Sequence, residues 1–361
     1  MSAGLEADVL VVGGGMAGAI AALAARSRGR TVALVRRSPG ATALSSGAVS
    51  VAPDPGAPPG EPLGARRRPL EAAPRLAAAR PDHPYAIAGT DRLGEALAFA
   101  CRELEAVLAP DSGRRRFLAT LHGSVVGAGL CQHANAAGDL LAVKGLLAVA
   151  GFRGHAAFDA PLVAAGLARY APRGRARARA GVPVAETLSD VPSVPGLRLH
   201  RAIEARLAAA GVAVIQGEVA AAPAPGEPVR AGETVVRAPA WVLATGRFVG
   251  GGIARRGVLA EPALRLPVQA AEGREAGVHL ALRPAASLTA RDRLRPQALL
   301  SAGLRVDGAL RPLDERGRAV HPRLFAAGAV VGGHEQATDG TGLGVAILTG
   351  FLAGLAAAEG H

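Results

Sequence analysis

A chain of 361 residues, half of them hydrophobic, can bury one substantial core and carry a smaller second unit. Its 41 basic against 29 acidic residues give a formal charge of +12, and Lys144 is the only lysine among them. Aromatics make up 3% of the chain, too few to stack single-stranded bases, so no nucleic-acid partner is expected, and the charge leaves an anionic substrate open.

Asp8 to Val12 is a short apolar run that reads as a buried parallel strand. Glycines follow, then an alanine-rich helix from about Met16 to Arg28 and a second strand over Thr31 to Val35, the opening β-α-β of a doubly wound sheet. Glu6 and Asp8 stand where a signal peptide carries a basic leader, so a cytoplasmic chain is expected. Ala52 to Pro84, rich in proline, glycine and arginine and including Arg66-Arg67-Arg68, reads as an irregular surface crossing. Thr90 to Ala171 alternates helical patterns with apolar runs, as an inserted domain would. Cys101 and Cys131, both within it, show no Cys-x-x-Cys or Cys/His spacing, which predicts two buried thiols and no metal.

Leu199 to Ala210 reads as an amphipathic helix leading to the strand Val212 to Gln216. Pro223 to Pro239 looks like a small meander, Trp241 to Ala244 a buried strand, Leu324 to Val331 a last strand, and Gly342 to Ala358 a last helix. Glycine and threonine interrupt that helix, and no transmembrane segment is expected. The fold class is therefore α/β. A Rossmann-like, mostly parallel doubly wound domain runs over 1–50, 190–250 and 307–361, and an α+β cap or substrate domain over 51–189 and 251–306.

Gly13, Gly15 and Gly18 of Gly13-Gly14-Gly15-Met16-Ala17-Gly18 fit G-x-G-x-x-G between strand and helix. They permit a tight turn, close approach of a pyrophosphate, and close helix–strand packing, with phosphates on the helix N-terminus. The acid expected about 20 residues on, for the adenosine ribose, is replaced by Arg36-Arg37. That leaves open a ribose 2′-phosphate, hence NADP, a differently held adenosine, or FMN. Two further segments favour a flavin. Thr245-Gly246 closes the strand Leu243-Ala244 much as the strand-end turn beside FAD does. Gly328 leads through Gly332-Gly333 to Thr341-Gly342-Leu343-Gly344 and a helix, which resembles a second flavin fingerprint. That helix N-terminus would face the pyrimidine edge of the isoalloxazine and favour the charge of reduced flavin. Ser45-Ser46-Gly47 resembles the serine-rich loop of flavoproteins such as the fumarate reductase group. FAD is the expected cofactor, with FMN the alternative.

Together these residues resemble the smaller flavoprotein subunit of anaerobic glycerol-3-phosphate dehydrogenases. The likeness adds His83-Pro84-Tyr85, Ala137-Gly138-Asp139-Leu140, Gly151-Phe152-Arg153-Gly154 and Ala157-Phe158-Asp159. Its most specific part is the fused stretch Ala244-Thr245-Gly246-Arg247-Phe248-Val249-Gly250-Gly251-Gly252. The resemblance implies oxidation of sn-glycerol 3-phosphate to dihydroxyacetone phosphate, with electrons passed toward quinone. It also implies a hetero-oligomer with a larger flavoprotein subunit and an iron–sulfur subunit that reaches the membrane. The family is usually described with FMN in this smaller subunit, whereas the pyrophosphate cradle argues for FAD.

Oxidising a secondary alcohol needs a hydride acceptor, a base and, for a phosphorylated substrate, cations. His334, between a strand end and a helix, is the candidate base. Arg153 and Arg247 are candidate phosphate ligands, with Asp159 to orient one of them. His122, His133 and His155 are further candidate bases. Two other readings stay open: a fumarate-reductase-like enzyme of a dicarboxylate, and a non-catalytic flavin-binding or electron-relay subunit.

Overall fold

Val9–Val12 is buried throughout and forms the middle of a five-stranded parallel sheet, as an uninterrupted apolar strand covered on both faces must. The order across the sheet is Leu324–Ala326, Ala240–Leu243, Val9–Val12, Val32–Arg36 and Ala213–Gln216. Register pairs Leu10 with Trp241 on one side and with Ala33 on the other. The computed structural model describes residues 4–53, 68–143, 147–151, 158–168, 170, 185–189, 191–219, 222–256, 258–272, 275–279, 289, 291–292 and 297–359.

The helix Met16–Ser27 crosses the C-terminal helix Gly342–Ala358 at very short range. A Cβ on Gly350 would stand 2.4 Å from the Ala17 carbonyl oxygen, and one on Gly354 would stand 2.3 Å from that of Ala21. Small residues thus let two backbones touch and bury a continuous alanine-rich seam. On the other side of Gly342–Ala358 lies Leu93–Glu103, with Phe99 and Phe351 ring centroids 5.1 Å apart. The same core cluster holds Trp241, whose indole N–H donates to the Ala238 carbonyl at 2.8 Å. A three-stranded sheet joins Gly4–Glu6, Thr234–Arg237 and Val229–Ala231, the last two as the hairpin of the expected meander.

Three sequence expectations change. Ala52 to Pro84 is not irregular where the structure describes it: Pro69–Ala79 and Pro84–Ala88 are helices, each opened by proline at its first position. The helix expected from Leu199 begins at Val194, where the Ser193 hydroxyl accepts from Gly196 N at 2.9 Å. The last strand stops at Ala326, because Gly328 turns the backbone to φ +74 and starts a 3-10 turn. Arg66 and Arg67 lie outside the described residues. Cys101 is partly buried and Cys131 buried, both free; burial raises the Cys101 thiol to about 11. Among the described residues no helix is long and apolar enough to cross a membrane, and no cluster of metal-ligating side chains occurs.

Candidate active site

A cleft of about 620 Å³ opens at the carboxyl ends of the four strands Val9–Val12, Val32–Arg36, Ala213–Gln216 and Ala240–Leu243. That is where an open parallel sheet leaves its helix N-termini and loops free to take a ligand. Gly13 fixes its floor: φ is +123, and a Cβ there would fall 2.1 Å from the Ala244 carbonyl oxygen. Gly18 does not reach the cleft. A Cβ on it would meet Gly13 O at 1.9 Å, so its role is to seat the helix against the glycine turn.

Gly13, Gly14, Gly15, Met16 and Ala17 line the cleft, and the first turn of the helix offers its N–H groups there. One of those donors is already used: Met16 N donates to Thr42 Oγ1 at 2.8 Å. Thr42 comes from the short turn Ala41–Leu44, a contribution that sequence reasoning missed because nothing local marks it. Ser45 Oγ and Thr245 Oγ1 are buried without a hydrogen-bond partner among the described residues, and both residues line the cleft. A glycine cradle without room for a Cβ, flanked by two unsatisfied hydroxyls, suits a polyphosphate with ribityl and ribose hydroxyls. The residues present therefore fit FAD.

The cleft is also walled by Thr245, Gly246 and Arg247 from one strand end and by Gly342 and Leu343 from the C-terminal helix. Arg247 donates from Nη2 to the His334 carbonyl at 3.0 Å and from Nη1 to that of Leu300. Its Nε is buried with no partner among the described residues. Burial lowers its pKa to about 10, and nearby Glu335 and Asp339 oppose that shift, so the guanidinium stays charged at neutral pH. Glu335 and Gln336 line the same wall.

Several predicted residues stand elsewhere. His334 is fully buried and absent from the cleft wall, with its ring edge-on to His83 at 5.8 Å between centroids. Desolvation holds it well below the usual histidine range, with Arg247 and His83 acting in the same direction and the Gly332 backbone weakly opposing. The candidate base His334 thus stands next to Arg247, its carbonyl accepting from that guanidinium, and off the cleft wall. Gly47, Gly328, Thr341 and Gly344 also stay off the wall. A Cβ on Gly47 would meet Pro195 at 2.6 Å, one on Gly328 would meet Ala17 at 2.6 Å, and one on Gly344 would meet the Tyr85 hydroxyl at 2.6 Å. Thr341 is completely buried, its hydroxyl unpartnered among the described residues. Ser46 lies on the wall beside Ser45. Arg36 and Arg37 also line the cleft, paired with Glu204 and, at 3.5 Å, with Glu218. His122 and His133 lie off the cleft wall, Asp159 caps the helix Ala160–Leu167, and Arg153 and His155 lie outside the described residues.

Fold and cleft together define a flavin-dependent oxidoreductase of the dinucleotide-binding type. The chain belongs to the FAD binding domain family, whose model matches residues 8–171 and 173–345. A probable subunit of the anaerobic glycerol-3-phosphate dehydrogenase of Halobacterium salinarum is 39% identical over 120 residues, which is 33% of this chain and 26% of that protein. The match thus spans about a quarter of the relative and a third of this chain. Among solved structures, the open conformation of a flavocytochrome c3 fumarate reductase is similar with a TM-score of 0.49 and 13% identity, covering 99% of this chain and 79% of that one. A 3-ketosteroid-delta4-(5alpha)-dehydrogenase from Rhodococcus jostii RHA1 is similar with a TM-score of 0.45 and 15% identity, covering 99% and 97%.

Proposed function

We propose that the chain is the smaller flavoprotein subunit of an anaerobic glycerol-3-phosphate dehydrogenase and oxidises sn-glycerol 3-phosphate to dihydroxyacetone phosphate. The observation that carries this reading is Arg247: a charged, half-buried guanidinium on the cleft wall whose described acceptors are backbone carbonyls. Such a group retains its charge for an anionic ligand and suits the bidentate geometry of a phosphate. The partial match to the Halobacterium protein supports the same substrate class.

FAD held against Gly13, Gly14 and Gly15 would supply the hydride acceptor for the substrate carbon. Glu335 takes the hydroxyl proton, since it lies on the wall beside Arg247 while His334 does not. His334 instead holds Arg247 through its carbonyl. Arg153 is a second phosphate ligand in this reading. Residues 51–189 and 251–306 supply the substrate side, with Leu93–Glu103 docked on the flavin-binding part over 1–50, 190–250 and 307–361. Electrons then leave toward quinone through a larger flavoprotein subunit and an iron–sulfur subunit, with this chain cytoplasmic and peripheral to the membrane.

The test is the absorbance of the FAD-loaded chain under anaerobic sn-glycerol 3-phosphate. Bleaching by that compound but not by glycerol supports the reading. Bleaching by succinate alone transfers the site to dicarboxylates, and flavin that stays oxidised with every alcohol phosphate makes this chain a relay subunit.

A further inference from the structure

Arg36 ends the strand Val32–Arg36, at the place where a dinucleotide fold ordinarily presents a carboxylate to the adenosine ribose. Its stem lies across the glycine loop: a Cβ on Gly14 would stand 2.7 Å from Arg36 Cδ. Nη2 donates to Glu204 Oε1, which comes from the helix Val194–Ala209. His200, one turn earlier and 5% exposed, places Nε2 3.4 Å from the same oxygen. Burial keeps His200 below the usual histidine range, so near neutral pH it adds no charge to the pair. The hydrogen bond from Arg36 also holds the Glu204 carboxyl below its ordinary range, so it remains an anion. Arg37 is engaged separately with Glu218. What remains is Arg36 Nε, a buried donor with no acceptor among the described residues, on a residue that lines the cleft. An unmet donor in an interior is costly and marks the position of an acceptor the protein lacks.

We infer that Arg36 anchors the adenosine ribose of FAD by donating from Nε to a ribose hydroxyl oxygen, while Glu204 neutralises its charge and so discriminates against a 2′-phosphate. The polarity of the usual contact is reversed: the ribose oxygen accepts, where a carboxylate would have made the hydroxyl donate. Glu204 restores the missing negative charge from a different element, behind the arginine and not in front of it. This inference rests on FAD occupying the cleft, and not on the identity of the substrate.

The experiment titrates the full chain, freed of cofactor, with FAD and with FAD carrying 2′,3′-dideoxyadenosine, followed by flavin fluorescence. Arg36→Met keeps the stem over Gly14 and removes every donor; Arg36→Lys keeps a cation for Glu204 but has no Nε, and carries the test if the first variant fails to fold by circular dichroism. The expected result is a loss of about tenfold in FAD affinity with no loss for the dideoxy compound. Equal losses for both, or none for either, overturn the anchor. In Glu204→Gln, 2′,5′-ADP should displace FAD about tenfold more effectively than from the natural chain, with 5′-ADP unchanged. No gain there overturns the discrimination by Glu204. A natural chain that binds neither flavin fails earlier, at the cofactor itself.

Discussion

Arg247 and His334 stand 87 residues apart in sequence, and Arg247 Nη2 donates to the His334 carbonyl at 3.0 Å. The histidine ring is fully buried and meets the His83 ring edge-on, 5.8 Å between centroids. The pair joins the turn after one sheet strand to the loop before the C-terminal helix, at the cleft wall. The arginine is thereby held by backbone groups and keeps its charge for a ligand.

Replacing Arg247 therefore tests anion binding. Arg247→Gln removes the charge and should raise KM for sn-glycerol 3-phosphate on the order of 100-fold, while FAD stays bound. Arg247→Lys should recover only part of this, because an ammonium cannot reproduce the fork. Steady-state kinetics with a quinone-analogue acceptor provides the check, and an unchanged KM in both variants removes Arg247 from the substrate site.

The phosphate end is tested at Thr42 and Gly13. Thr42→Ala deletes the acceptor of Met16 N and should cost about 0.5–2 kcal/mol of stability by denaturant unfolding of the apo chain. Gly13→Ala is more severe, since its Cβ would enter the Ala244 carbonyl at a φ that L residues avoid. That variant should purify without flavin.

Acid should destabilise the chain through its buried histidines. His83 Nδ1 accepts from Tyr85 N at 3.0 Å, and burial, with Arg80 adding to it, lowers its pKa to about 3. The folded chain therefore holds this ring neutral while the unfolded chain protonates it near 6.5. With more protons bound in the unfolded state, stability falls as pH drops from about 6.5 to about 3. The loss is about 1.4 kcal/mol per pH unit for each such group, and His334 acts in the same sense. Urea midpoints from about pH 7.5 to about pH 5 should show a shallower fall in His83→Gln than in the natural chain. Parallel slopes would show that His83 titrates normally.

Packing is tested at Phe351, 3% exposed and tilted against Phe99. Phe351→Ala should cost about 3–5 kcal/mol in equilibrium unfolding. A loss well below about 1 kcal/mol would mean that the helix Leu93–Glu103 is not part of the main core.

The features legible in the sequence are local. The strand, the glycines and the helix from Val9 to Ser27 are contiguous, and their spacing alone states the geometry. Proline misleads over Ala52 to Pro84 because a proline-rich composition suggests irregular chain, whereas Pro69 and Pro84 occupy first helical positions that have no need of an N–H. Ser193 and Pro195 likewise mark a helix start that hydrophobic periodicity places several residues late. Side-chain direction is out of reach: His334 and Glu335 are neighbours, yet only Glu335 lines the cleft. Nor does sequence show that Arg36 meets Glu204, 168 residues away, which changes the chemical meaning of that arginine.

A crystal structure of the chain with FAD tests the cofactor cleft most directly. The pyrophosphate should lie against Gly13, Gly14 and Gly15 at the start of the helix Met16–Ser27, and the isoalloxazine between Arg247 and the helix N-terminus at Gly342–Leu343. A flavin seated away from the glycine loop, or FMN bound with that loop making no phosphate contact, would contradict it.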